Sequence, residues 1–332
     1  MQLSSDKLLS KKGLLLSVIV PVYNEEEVLP IFHHRLTQVL SSISNERFEI
    51  IYINDGSVDD SWNIMLSLSS HCSDVECINL SRNFGKEAAV TAGIDYCSGE
   101  VVALLDADLQ DPPELLPKMI AAWKQGYDIV NMKRTERRGE TWFKVWSSNV
   151  YYRLLDKLAD VPIQKNVGDF RLISRRVVEK IKLLSEKNRY MKGILSWPGY
   201  KQVTIEFSRP EREAGTTKWP FTKLVGLALS GITAFSVKPL RLSTWAGVAV
   251  SLSAFIYGLW IFIKTIWLGE MVAGYPSLML VQLFLGGVQL IAIGVCGEYI
   301  GRIFTEVKNR PCYLVMDVES RQQTVIGLKK SG

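Results

Sequence analysis

The chain has 332 residues, enough for one large soluble domain or for a medium one with membrane segments. Its 47% apolar content exceeds what a soluble enzyme needs, and its net charge of +5 is too mild to imply nucleic acid as a partner. The cysteines (Cys72, Cys77, Cys97, Cys296, Cys312) form no Cys-x-x-Cys pair and the histidines (His33, His34, His71) do not cluster with them, which argues against a zinc site or a disulfide framework.

Near the amino terminus, Lys11-Lys12 followed by the apolar run Gly13 to Val20 imitates the start of a signal peptide. No small-x-small cleavage site follows; Pro21-Val22-Tyr23-Asn24-Glu25-Glu26-Glu27 does, so a strand entering an acidic turn is the better reading. Strands are predicted over Leu15 to Pro21, Phe48 to Ile53, Val75 to Leu80, Val101 to Leu105 and Asp128 to Met132. Helices are predicted to start near Glu25, Val58, Lys86 and Pro112, the last opened by the Pro112-Pro113 pair. This alternation predicts a Rossmann-like α/β domain with a mostly parallel sheet, and continuous apolar runs such as Val101-Val102-Ala103-Leu104-Leu105 fit strands buried on both faces. Ligands of such sheets sit at the carboxyl ends of the strands.

From Lys133 to Lys165 the pattern turns basic and aromatic: Lys133, Arg134, Arg137, Arg138, Lys144 and Arg153 among Trp142, Phe143, Trp146, Tyr151 and Tyr152. A groove for an anionic ligand near a membrane and a solvated helix with an aromatic core face both fit it. Within Pro220 to Ser236, residues Phe221, Leu224, Val225, Ala228, Ile232 and Phe235 recur at helical spacing, as in an amphipathic helix lying in a membrane interface or packed on the catalytic domain. Trp245 to Ile263 and Pro276 to Gly297 contain no Asp, Glu, Lys or Arg, and as helices they would rise roughly 28 and 33 Å, enough to cross the hydrocarbon core. Lys218, Lys223, Lys238 and Arg241 precede the first span and Arg302, Lys308 and Arg310 follow the second, while the connecting loop carries only Lys264 and Glu270. The positive-inside rule then puts both ends in the cytoplasm. Glu298 and Arg302, one turn apart beyond the second span, suit an ion pair, within the helix or between subunits. The tail after Tyr313 is polar and is expected to be loosely ordered. The division predicted is therefore a catalytic domain over 1–218, an interfacial helix over 219–240, a two-helix transmembrane hairpin over 241–303 and a cytoplasmic tail over 304–332.

Polar clusters end the first four predicted strands. Asp106-Ala107-Asp108 follows the buried run Val101 to Leu105, and with the Gln110 amide it makes a hard oxygen-donor set suited to Mg²⁺ or Mn²⁺. Alone, an Asp-x-Asp string is as readily a loop or a helix cap. Asn54-Asp55-Gly56-Ser57 follows another strand; Asp55 can accept a base N–H, and Ser57 or Asp59 can cap the next helix. Pro21-Val22-Tyr23-Asn24-Glu25 and Arg82-Asn83-Phe84-Gly85-Lys86 end two more. Four polar strand ends on one edge make a ligand site the economical reading.

Together with Gly168-Asp169-Phe170-Arg171-Leu172, the segment Arg212 to Trp219 and Gly297-Glu298-Tyr299-Ile300-Gly301-Arg302, these motifs resemble glycosyltransferase family 2 over almost the whole chain. Within it they look like the polyprenyl-phosphate glycosyltransferases, nearest to the bactoprenol glucosyltransferase group and related to dolichyl-phosphate mannose synthase. The resemblance implies an A-type glycosyltransferase fold with Pro21, Tyr23, Glu25, Asp55, Ser57, Lys86 and Asp106 at the donor nucleotide, and Asp106, Asp108 and Gln110 around metal and diphosphate. It also implies an inverting transfer, with Asp169, Asp108 and Arg171 as catalytic residues, a nucleotide-sugar donor such as UDP-glucose and undecaprenyl phosphate as acceptor. Such an enzyme would contact membrane lipids at the bacterial inner membrane, and the resemblance leaves a homo-oligomer open.

A phosphate monoester has a second pKa near 6, so a lipid phosphate is largely ionised at neutral pH and needs little help from a general base. Asp169, whose usual suggested role is proton acceptor, is therefore expected to position the sugar or a cationic partner as well. Two anionic substrates do need positive charge, for which Arg171, Arg209, Arg212 and Lys218 are the candidates, with solvated surface or lipid head groups as the competing assignment. Transfer of N-acetylhexosamine, galactose, mannose or a modified arabinose is the neighbouring alternative, and a non-catalytic membrane scaffold the alternative of another class. A processive synthase is disfavoured because no Gln-x-x-Arg-Trp string occurs.

Overall fold

The computed structural model describes residues 14–43, 47–135, 167–184, 186, 187, 189, 191–207, 238–268 and 274–320. Two compact units divide them: residues up to 207 together with 311–320, and residues 238–310.

In the first unit the chain alternates β1 (Leu14–Val22), α1 (Leu29–Ser42), β2 (Arg47–Asn54), α2 (Ser61–His71), β3 (Val75–Leu80), α3 (Lys86–Tyr96) and β4 (Val101–Leu104). A short 3₁₀ turn (Pro113–Leu115) then leads into α4 (Leu116–Lys124), followed by β5 (Ile129–Arg134), β6 (Val167–Ser174), α5 (Arg175–Lys182), α6 (Met191–Ser196) and β7 (Gln202–Phe207). Among the described residues eight strands form one sheet in the order β7-β5-β6-β4-β1-β2-β3-β8, where β8 is Val315–Ser320. The pairs β1–β2, β1–β4, β2–β3 and β5–β7 are parallel, and β6 and β8 run against their neighbours. This is the mostly parallel α/β glycosyltransferase fold that the motifs imply.

Alternate strand residues feed two cores, as a two-residue side-chain period requires. Val18, Val20, Ile50, Tyr52, Val101 and Ala103 meet α1 and α4 on one face through Phe32, Leu36, Leu116 and Met119. Ile19, Ile51, Ile53, Val102 and Leu104 meet α3 and α5 on the other through Ala89, Ala92, Val177 and Ile181. Gly93 lets α3 lie this close to β1, since a β-carbon there would stand 2.4 Å from Ile19 Cγ2. The sequence reading anticipates the first five strands within a residue or two but omits β6 and β7. It also leaves the tail loosely ordered, whereas residues 315–320 pair with β3 and cover an edge that would otherwise expose its backbone groups.

The second unit holds two long helices, α7 (Lys238–Leu268) and α8 (Tyr275–Val307). Their segments Ser243–Ile261 and Phe284–Val307 are long and apolar enough to cross a membrane. Trp245, Phe255, Trp260, Phe284 and Ile291 point outward from them, as lipid-facing side chains do. The anticipated ion pair is present within α8, where Arg302 Nη2 donates to Glu298 Oε1 at 3.1 Å. The predicted interfacial helix at 220–236 and most of the basic and aromatic segment, 136–166, lie outside the described residues.

Candidate active site

Because β1 to β4 are mutually parallel through β1, their carboxyl ends share one edge, and β6, antiparallel to β4, brings its amino end to the same edge. Leu104 pairs with Arg171, so carrying that register two residues further sets Asp106 across from Asp169. Lys86, the first residue of α3, fills the space between them: its Nζ lies 2.7 Å from a carboxylate oxygen of Asp106 and 2.7 Å from Asp169 Oδ2. Asp169 is thus contacted by a cation 83 positions away in the chain.

The charges of this cluster are strongly coupled. Burial alone would lower the Lys86 ammonium, but the Asp106 and Asp169 carboxylates outweigh it and hold its pKa above the ordinary lysine value. Burial pushes the Asp106 carboxyl upward, Lys86 pulls it back, and Asp169 and Asp108 add to the rise. Carboxylates that raise one another in this way make an environment that favours a further cation.

Asp108 turns back on its own backbone, its Oδ1 accepting the Gln110 N–H at 3.1 Å, and Leu109 between them takes a left-handed φ of 57°. The Gln110 side chain is buried. Among the described residues no three His, Cys, Asp or Glu side chains gather to hold an ion. Asp106 and Asp108 by themselves are an incomplete hard-oxygen set for a divalent cation, one that phosphate oxygens and water would have to complete, as Mg²⁺ accepts readily.

The loops beside this cluster are tied to one another. Asp55 is buried at the end of β2 and accepts the Phe84 N–H at 2.7 Å and the Gly85 N–H at 3.0 Å. Burial raises its carboxyl pKa against the opposing pull of those two amides and of Arg82. Gly56 follows at φ 68°, and a β-carbon there would meet Asn83 N at 2.4 Å, so only glycine lets these loops pack. Ser57 Oγ accepts the Asn24 N–H at 3.0 Å, Ser61 Oγ accepts the Glu25 N–H at 2.9 Å, and Asp59 Oδ2 accepts the Glu26 N–H at 3.2 Å. Ser57 and Asp59 therefore join the first two strand ends. Tyr23 is exposed and Pro21 and Glu25 are half-buried along this rim.

Arg171 stands two residues from Asp169 on β6, so both side chains leave the same face of the strand. It is only 4% exposed and its Nε donates to the Gly168 carbonyl at 3.1 Å, so it is a buried cation. Arg209, Arg212 and Lys218 lie outside the described residues. Sequence reasoning overlooked Asn79, whose Oδ1 accepts Asn54 Nδ2 at 2.9 Å, while Asn54 Oδ1 accepts the Ser57 N–H at 3.1 Å. The available signal was an asparagine near the end of each of two adjacent apolar strands, which parallel register brings side by side.

Residues 17–182 match glycosyl transferase family 2, and residues 238–303 match the GtrB C-terminal hairpin. The chain is 48% identical over 300 residues to an SfII prophage-derived bactoprenol glucosyl transferase of Shigella flexneri, covering 90% of this chain and 97% of the relative. It is 46% identical over 303 residues to an uncharacterised glycosyltransferase of Synechocystis sp., covering 91% and 95%. A third relative, an uncharacterised glycosyltransferase of Bacillus subtilis, is 44% identical over 299 residues, with 90% and 92% covered.

Proposed function

Because the chain belongs to glycosyltransferase family 2 and is a glycosyltransferase, we propose that it transfers glucose from UDP-glucose to undecaprenyl phosphate at the cytoplasmic face of a bacterial inner membrane. The observation that carries this reading is the Lys86, Asp106 and Asp169 cluster on a nucleotide-binding sheet edge, in a chain that also holds two apolar helices of membrane length. The near full-length similarity to a bactoprenol glucosyl transferase favours glucose and a polyprenyl acceptor. The lipid-linked glucose would then serve surface glycan modification, as of an O-antigen.

In this reading Asp106, Asp108 and Gln110 would hold Mg²⁺ or Mn²⁺, which when bound would neutralise charge on the departing diphosphate. Lys86 moves one of its contacts to a donor phosphate, since an ammonium is a flexible point charge. Asp55 retains unused lone pairs beyond its two amide contacts and offers one to a base N–H, with Pro21, Tyr23, Glu25 and Ser57 lining the nucleoside. Asp169 orients the sugar and holds Lys86. The acceptor phosphate oxygen attacks the anomeric carbon as the bond to the diphosphate oxygen breaks, giving inversion. Arg171 and the cations Arg209, Arg212 and Lys218 balance the incoming phosphate. The domain division is that of the sequence reading: 1–218 catalytic, 219–240 interfacial, 241–303 spanning and 304–332 cytoplasmic, with β8 returning to the sheet.

The test is to incubate the detergent-solubilised protein with undecaprenyl phosphate, Mg²⁺ or Mn²⁺ and a panel of nucleotide-sugars, and to weigh the lipid product. A hexose added to the lipid only from UDP-glucose is the expected result. A product from another donor corrects the sugar, and no product from any donor overturns the reading in favour of a scaffold.

A further inference from the structure

The turn Ser81 to Gly85 joins β3 to the helix that Lys86 begins, and a segment that follows the second apolar helix in the chain contacts both of those elements. On the β3 side, β8 pairs antiparallel in a register that sets Asn79 opposite Asp317, and the Ser81 N–H donates to the Leu314 carbonyl at 2.9 Å. On the other side, the Tyr313 hydroxyl donates to Asp95 Oδ2 at 2.7 Å, in the last turn of the helix that Lys86 begins. Between these contacts Asp55 holds the Phe84 and Gly85 amides. A file of side chains also crosses the strand ends: Asn79 Nδ2 lies 3.5 Å from Asp317 Oδ2, and Asn79 joins Asn54, which holds the Ser57 N–H.

We propose that the segment Tyr313 to Glu319 is a positioning clasp for the donor site, fixing the turn that aims Lys86 at Asp106 and Asp169. The inference rests on reading that sheet edge as the donor site. An edge strand whose only task is to cover backbone groups needs neither the Tyr313 contact to α3 nor the asparagine file. The Leu314 contact reaches the turn itself, Tyr313 anchors the far end of the helix that the turn feeds, and the asparagine file ties β8 to the loop after β2. Because β8 follows α7 and α8 in the chain, the donor site is complete only after the whole hairpin has been made.

The experiment compares the full chain in detergent with Tyr313→Phe and with a chain ending at Leu314. UDP affinity is measured by calorimetry with Mg²⁺, and hydrogen exchange is followed across the molecule. Tyr313→Phe should weaken UDP binding roughly fivefold or more. Amides of the Ser81 to Gly85 turn should exchange faster while β1 and β4 keep their protection, and the truncation should exceed both effects. Unchanged affinity and turn exchange in both variants would overturn the clasp. So would faster exchange spread evenly over β1, β4 and the turn, because that marks a general stabiliser. Should the intact chain bind no UDP, the donor-site reading fails, and the exchange comparison alone still decides whether the segment holds the turn.

Discussion

At the amino ends of the parallel strands, Asp128 is buried and fully engaged: Ser174 Oγ donates to it at 3.0 Å and Arg176 grips both carboxylate oxygens. At the same end, on β2, Glu49 accepts Ser17 Oγ and the Ser98 N–H, each at 2.6 Å. At the carboxyl ends, Asp106 and Asp169 both contact the Lys86 ammonium. Burial raises both the Asp106 and Asp128 carboxyls, but Arg176 and Ser174 bring Asp128 below its ordinary value while Asp106 stays above. One end of the sheet uses its buried charge to hold the fold together; at the other, Asp106 stays above its ordinary value, a state that a further cation can relieve.

The largest expected effect comes from breaking the uncompensated end. Asp106→Asn should lower kcat by about a thousandfold, the scale of removing one preorganised electrostatic group, yet leave thermal stability equal or higher. The sign follows from linkage: a carboxyl whose pKa rises on folding costs stability above the ordinary carboxylate range, so neutralising it removes a cost. Steady-state kinetics and a melting curve on the same preparation check both halves. A variant that loses activity and stability together would place Asp106 with Asp128.

Lys86→Gln should come next, raising the donor KM by roughly tenfold for a lost charge-assisted contact. Its pH profile is the sharper readout. Lys86 pulls the Asp106 carboxyl down, so without it the acid limb of kcat/KM moves to higher pH. An acid limb that stays in place or moves lower would show that the limb reports some other group.

How far this division is readable from sequence depends on whether partners are local. The carboxyl rim is legible because each buried run, such as Val101 to Leu105, stops abruptly at charged residues, and a parallel sheet collects such ends on one edge. Lys86 is legible as a rim residue, but its pairing with Asp169 depends on β6 entering antiparallel beside β4. The alternating Asp169, Phe170, Arg171 and Leu172 do not announce that strand by composition. The same limit hid β8, since Val315 to Ser320 is too short and polar to read as a strand until the open edge of β3 is in view. Nor does anything in the order Asp128, Ser174, Arg176 reveal an ion pair on a buried carboxylate.

At the compensated end the expected effects are smaller and of a different kind. Asp128→Ala should cost about 2 kcal/mol, a buried carboxylate's hydrogen bonds discounted because Arg176 returns to water. Below the ordinary carboxylate range the wild type should lose this advantage, since a lowered folded pKa gives stability that is present above that range and vanishes as pH falls through it. Melting temperature against pH, compared with Asp128→Asn, measures it, and UDP affinity should not move.

The mildest perturbation tests the comparison most stringently. Ser17 is fully buried, its Oγ donating to Glu49 at 2.6 Å and accepting the Gly99 N–H at 2.7 Å. Ser17→Ala leaves that amide without this acceptor and should cost about 1 kcal/mol, a fall in melting temperature of roughly 2–4 °C for a domain of this size. Ser17 lies on β1, the strand whose other end carries Pro21 and Tyr23, so a fault at its amino end has the shortest route to the donor rim. If β1 behaves as a rigid element, the melting temperature falls while KM and kcat hold. A rise in donor KM from this one hydroxyl would mean that the two ends of the sheet share their strain, and that the stabilising end is also part of the site.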